Sequence, residues 1–189
     1  MPQLSLHTPV GDITVFDEDD AIVSLDWGWV PYQAPSSVLN RAREQLEAYF
    51  DGELKEFTLP LAPVGTAYRR GVWRALCGIP YGETRSYRDI AVEAGGSARS
   101  VGQANGHNPI PLIIPCHRVV AATHVGGYSG GDGLPTKRWL LALENPNQPC
   151  FEPLRRTEIR HDKGNPDPHQ WRPGSHGMGG RPDTRTGSR

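Results

Sequence analysis

The chain has 189 residues, 37 % hydrophobic and 22 % charged, which suits one large or two small globular domains. No run approaches the roughly 20 apolar residues of a membrane-spanning helix. The net charge of −1 hides an asymmetry: residues 1–63 hold 3 Lys/Arg against 11 Asp/Glu, residues 64–150 hold 9 against 5, so the later part is the half suited to a polyanion.

The first residues, "MPQLSLHTPVGDITVF", lack a basic and then apolar leader, so a cytoplasmic address is expected. Residues 3–8, 12–17 and 21–27 read as three short strands, separated by "PVG" and by the acidic turn "DEDD", a meander pattern. Residues 37–50 repeat Leu39, Ala42, Leu46 and Tyr49 at helical spacing and stop at Asp51-Gly52. The Pro-rich segment 57–65, "FTLPLAPVG", reads as a linker between domains.

Beyond it the pattern turns helical. "AYRRGVWRALCG" is one helix, closed by Gly78 with Pro80 just after. Ser86 can cap "YRDIAVEA" with Asp89 at the capping-box position, and Ser97 can cap "ARSVGQANG" after the Gly95-Gly96 turn. Helix, glycine turn, helix is the helix-turn-helix outline, with Arg85, Arg88 and Arg99 on or near it. "IPLIIPCHRVV", residues 110–120, reads as a buried strand carrying a polar end. Residues 135–144 form a last helix, with Pro135 in its first turn. Residues 151–189 contain 11 Pro or Gly and few aliphatic side chains, a composition expected to be disordered.

The expected fold class is therefore α+β. Residues 1–62 make a small N-terminal α/β domain with an antiparallel sheet. Residues 63–150 make a mostly helical domain with a winged-helix-like helix-turn-helix, and residues 151–189 a tail.

The cysteines are Cys77, Cys116 and Cys150, too few and too scattered for a disulfide framework or a Cys-rich zinc site. Cys77 lies in an apolar helical pattern and reads as a small core residue. Cys116 stands beside His117, and a thiol needs a base and a third group to orient that base before it becomes a nucleophile. Glu144, closing the last helix, is the candidate third group. Adjacent residues on a strand face opposite ways, so direct contact between Cys116 and His117 would need a turn or a bridging water. A cysteine hydrolase would use the same residue types.

The blocks "VWRAL", "IPYGETRSY", "ARSVGQANGHNP", "IPCHRVV", "GGYSGG" and "KRWLLALE" occur in this order over residues 64–145. Together they resemble the O6-alkylguanine-DNA alkyltransferases. The resemblance implies direct transfer of an alkyl group from guanine O6, with O4-alkylthymine a second candidate, to Cys116 in a single turnover. Its partner is double-stranded DNA containing the lesion; no cofactor, metal or membrane is implied, and the protein acts as a monomer. Through the same resemblance His117 is the base acting through water, Glu144 orients it, Asn108 braces the turn before the cysteine, and Tyr87 donates to guanine N3. Ser129 and Tyr128 line the pocket, and the main-chain carbonyls of Cys116 and Val119 receive the guanine amino group. Arg99 fills the stack left by the flipped nucleotide, while Ser97, Gly102, Ala104 and Asn105 meet the DNA backbone or minor groove. Arg118 is expected to be scaffold, and Lys137 and Arg138 to be solvated or at most in contact with phosphate. The alternative from another class is a non-catalytic helix-turn-helix regulator or lesion sensor.

Overall fold

The computed structural model describes residues 1–147. The expected tail at 151–189 lies outside the described residues, as does Cys150.

Three strands form the first layer: β1 (Gln3–Leu6), β2 (Ile13–Glu18) and β3 (Ala21–Trp27), antiparallel in the order β1-β2-β3. Leu6 pairs with Ile13 and Val15 with Leu25, so alternate apolar residues share one face. That face is covered by α1 (Ser37–Phe50), whose stripe Leu39, Ala42, Leu46 and Tyr49 is fully buried. Ser36 caps α1 by accepting from the Leu39 amide, and its hydroxyl donates to Asp17 at 2.8 Å, tying the helix start to β2.

The segment expected as a linker is laid along the sheet edge. The Ile22 amide donates to Pro60 O and the Ala62 amide to Ile22 O, each at 2.8 Å, which pairs part of the free edge of β3.

The second half packs α2 (Ala67–Cys77), α3 (Tyr87–Ala94) and α4 (Ala98–Gly106) around Trp73, whose indole donates to Ala104 O at 2.9 Å. Ser86 and Ser97 both make capping boxes, so the two helix starts lie where the sequence places them. Gly95 and Gly96 turn between α3 and α4 with φ of +82° and +88°. Two dipeptide strands, β4 (Arg85–Ser86) and β5 (Val119–Val120), pair in parallel beside them. Helix α5 (Leu134–Glu144) closes the fold.

The strand expected over 110–120 is not formed, apart from Val119–Val120. Pro111 and Pro115 have no amide to give to a ladder, and Leu112 adopts φ of +72°. Instead, Asn108 closes the segment into a compact turn, accepting from the Ile110 amide at 3.1 Å and donating to Ile114 O at 2.8 Å. Cys116–Arg118 follow as one turn of 3-10 helix. The apolar residues are buried as expected, but in the common core rather than within a sheet.

One hydrophobic core runs without a break through both halves. Phe50 of α1 meets Trp139 of α5 at a 6.0 Å ring separation, and the Leu25 amide donates to Pro109 O at 2.8 Å. Cys77 departs from expectation: it ends α2 with its side chain exposed, off the buried stripe of Val72, Trp73 and Leu76.

A methyl group at Gly96 would sit 2.7 Å from both the Tyr68 hydroxyl and Ser100 Oγ, on a backbone that L-residues rarely adopt. Gly96→Ala is therefore expected to destabilise the fold by roughly 1–3 kcal/mol. Urea unfolding should show a lower midpoint with an unchanged slope.

Candidate active site

The site begins with what the 3-10 turn does to its three side chains. Cys116, His117 and Arg118 project from consecutive corners of one tight turn, all buried. The C-terminal end of α5 brings Glu144 against two of them. His117 Nε2 lies 2.8 Å from Glu144 Oε1, and Arg118 donates from Nε to Oε2 and from Nη2 to Oε1, both at 2.9 Å. The Gly82 amide reaches Oε2 at 3.2 Å, and the Tyr49 hydroxyl donates to Oε1 at 2.8 Å. Burial alone would raise the Glu144 carboxyl. The charges and hydrogen bonds of His117 and Arg118 outweigh it and hold Glu144 at about 2.

This arrangement fixes the imidazole tautomer. A carboxylate can only accept, so Nε2 carries a hydrogen, and in the neutral imidazole Nδ1 carries the lone pair. Nδ1 is buried and has no hydrogen-bond partner in the protein. An unpartnered buried acceptor one residue from a buried thiol is the site's distinguishing feature.

Burial pushes the Cys116 thiol up. Asn108, the Lys137 charge and Tyr128 pull it partly back. The Tyr128 hydroxyl is buried beside the Cys116 sulfur without a well-formed partner. Burial and the nearby sulfur raise Tyr87 as well, which keeps its phenol a proton donor. The Tyr87 ring lies between α4 and the loop after β5: a Cβ on Gly126 would sit 3.2 Å from it, and one on Gly102 3.8 Å. Ser129 is exposed on that loop, whose Gly130 is packed on the Trp27 indole of β3.

The surface beside the pocket is the helix-turn-helix. Arg99 and Ser97 are exposed at the start of α4, with Ser97 engaged in the cap. Two expected DNA contacts are corrected. Ala104 and Asn105 are buried on the inward face of α4, and Asn105 Nδ2 points at Cys116 O at 3.4 Å. Helical periodicity turns these positions away from the exposed face that carries Arg99. Gly102 is half-buried beneath Tyr87.

Models of the family match both halves of the chain: "6-O-methylguanine DNA methyltransferase, ribonuclease-like domain" over residues 4–63 and "6-O-methylguanine DNA methyltransferase, DNA binding domain" over 67–146. This chain belongs to that family. The methylated-DNA–protein-cysteine methyltransferase of Mycolicibacterium paratuberculosis is 45 % identical, covering 77 % of this chain and 93 % of its own. The enzyme of that name from Methanosarcina barkeri is 42 % identical, covering 75 % and 96 %. The crystal structure of Mycobacterium tuberculosis OGT in complex with DNA superposes with a TM-score of 0.70 at 42 % identity, covering 77 % of this chain and 94 % of that one.

Within this family site, two residues escaped the sequence reading. Tyr49 was legible only as one more member of the apolar stripe of α1, yet its hydroxyl reaches Glu144. Lys137, expected in solvent, has no accessible surface. Its signal was present: Lys137, Leu140, Leu141 and Glu144 lie at helical spacing on the buried face of α5. Arg118 is scaffold as expected, and its third contact, Nη1 to Ile79 O at 2.7 Å, anchors the turn to the end of α2.

Because Glu144 is held near 2 against an ordinary 4.5, its contribution to stability is complete above about pH 4.5 and is lost as pH falls through about 2, on the order of 3 kcal/mol. Glu144→Gln should flatten the pH dependence of unfolding free energy across that window. It should also cost roughly 3–5 kcal/mol at neutral pH, because Arg118 is left unpaired. Tyr49→Phe removes a single hydroxyl and should cost only about 1–2 kcal/mol. Denaturant titrations at a series of pH values measure all three.

Proposed function

We propose that this chain repairs DNA by moving the alkyl group of O6-alkylguanine onto its own Cys116, as a methylated-DNA–protein-cysteine S-methyltransferase. The observation that carries the division of labour is the open Nδ1 lone pair of His117 beside the buried thiol. In this scheme one water joins the donor sulfur to the acceptor nitrogen of an imidazole whose other side is fixed by Glu144. The thiol proton passes through that water to Nδ1. The sulfur lone pair then forms the C–S bond as the C–O6 bond breaks, and the electron pair leaves with guanine. Tyr87 supplies the proton that makes the leaving base neutral and recovers one from the imidazolium through solvent. The net change moves one alkyl group and replaces the S–H proton on guanine.

The remaining assignments follow the same pocket. Asn108 holds the turn that presents the sulfur, and Ser129 and Tyr128 face the O6 side. The carbonyls of Cys116 and Val119 receive the guanine amino group. A lesion inside a duplex cannot reach a sulfur only 5 % exposed, so the nucleotide is flipped, at a cost that is smallest for a mispaired base. Arg99, exposed near the start of α4, fills the gap in this reading, with Ser97 and the small Gly102 letting the backbone approach.

The product is a thioether, a bond that water at neutral pH does not cleave, so each molecule acts once. One chain supplies every group in this scheme, in keeping with a monomer. A reactive free thiol and a DNA substrate suit the reducing cytoplasm, which is the address proposed. The two halves divide it: residues 1–62 support the site from behind, and 63–150 bind DNA and react.

Incubation with an O6-methylguanine duplex should add one methyl per chain on Cys116 by intact mass and peptide mapping, and Cys116→Ala should add none. DNA binding without mass gain in the wild type would establish the regulator reading instead. Arg99→Ala should slow single-turnover transfer from duplex by about tenfold, ~1.4 kcal/mol, and much less from single strands, where no stack is vacated.

A further inference from the structure

The scheme above leaves one charged group of the site unused. Lys137 sits in the first turn of α5 with no accessible surface, and its ammonium donates to Val119 O at 2.6 Å and to Gly127 O at 3.1 Å. Among the described residues it makes no ion pair. The nearest buried carboxylate of its own helix, Glu144, is saturated by His117, Arg118, Tyr49 and Gly82. A buried ammonium without a counter-ion is costly, and methionine would fill the same volume without that cost. The two carbonyls that the ammonium holds are neutral, so they leave its charge unbalanced.

The surroundings supply one. Burial draws Lys137 down to about 8, and the charge that opposes this is that of the Cys116 sulfur. The influence is mutual, since Lys137 is among the groups drawing the thiol down. The other titratable groups facing the sulfur are Tyr87 from α3, Tyr128 from the loop after β5 and His117 from the same turn. Both phenols are held protonated. The Arg118 and Glu144 charges are paired with each other.

We propose that Lys137 is the resident counter-ion of the Cys116 thiolate, and that the same ammonium fixes the two main-chain segments, at Val119 and Gly127, that wall the guanine pocket. It is a positioning residue: no bond to it forms or breaks, and it keeps its three protons throughout. The thiol proton still leaves toward His117. The sulfur's negative charge, held opposite Lys137 before transfer, departs with the guanine as the C–S bond forms. Lys137 thus favours the ionised nucleophile rather than the thioether product. Its effect falls on the fraction of thiolate at a given pH, and the two groups titrate as a pair.

This inference rests on Cys116 being the nucleophile, and the experiment separates the two. Single-turnover transfer from an O6-methylguanine duplex is measured from about pH 6 to about pH 9.5. For Lys137→Met the profile should move up by about one unit, giving roughly tenfold slower transfer near neutrality and convergence with wild type at the alkaline end. An equal loss at every pH, or no loss, would overturn the proposal. Should that variant not fold, the wild-type chain and Cys116→Ser are compared by NMR titration of the lysine ε-carbons. Without the sulfur, Lys137 should release its proton at lower pH by about half a unit or more, and identical titrations would refute the pairing. The titration needs no substrate, so it answers even if the wild type takes up no methyl group.

Discussion

The carboxylate of Glu144 accepts hydrogen bonds from five donors on four groups: Tyr49, His117, Arg118 twice and Gly82. A lone carboxylate at this depth would be driven to protonate, and here it stays ionised because its partners were assembled around it. Those partners come from α1, from the loop after α2 and from the turn that follows Asn108. The anion therefore acts as the common anchor of segments far apart in the chain. In the proposed scheme it also orients the base, since the contact at Nε2 leaves Nδ1 free to accept. The contact that ties these segments together is then also the one that directs the proton.

A buried nucleophile poses opposite demands. Depth protects the sulfur from oxidants and excludes competing thiols, but depth also disfavours the thiolate. The molecule meets this with a short helical turn instead of a strand. On a strand, Cys116 and His117 would point to opposite faces. On the 3-10 turn their side chains diverge by about a third of a turn, and Arg118 swings round to the carboxylate that His117 meets. The loop between β5 and α5 completes the enclosure. It is packed on Trp27 from the first half of the chain and hydrogen-bonded to Thr136 and Lys137 of α5. The sheet domain thus reaches the pocket at two points, through Tyr49 and through Trp27.

The local code was legible where short-range physics decides. The meander, α1, the caps at Ser86 and Ser97 and the glycine turn before α4 follow from alternation, helical spacing and cap chemistry, and all are present. The segment 110–115 was misread because an apolar run reports burial without saying what does the burying. Its two prolines and Asn108 were the contrary signal, and they prevailed. Cys116, His117 and Glu144 were readable as chemistry, but their convergence depends on where α5 ends, which no local pattern specifies. Tyr49 and Lys137 were missed for one shared reason: each lies on an apolar helical stripe with a polar terminus, and what that terminus meets is settled by packing between elements.

Ala104 and Asn105 carry the same lesson into the DNA-facing helix. Helix α4 has two jobs on opposite faces. Outward, its first turn presents Arg99; inward, Ala104 takes the Trp73 hydrogen bond through its carbonyl and Asn105 points at the carbonyl of Cys116. Helix α4, within the half that matches the family's DNA-binding domain, is thereby tied to the backbone of Cys116. A catalyst that turns over must loosen such contacts to release product. A protein that forms one stable C–S bond and then stops has no product to shed but the free base, so a rigid path from DNA-reading helix to sulfur carries no kinetic penalty. Rigidity of this kind serves the geometry of in-line displacement, in which sulfur, alkyl carbon and O6 must align once.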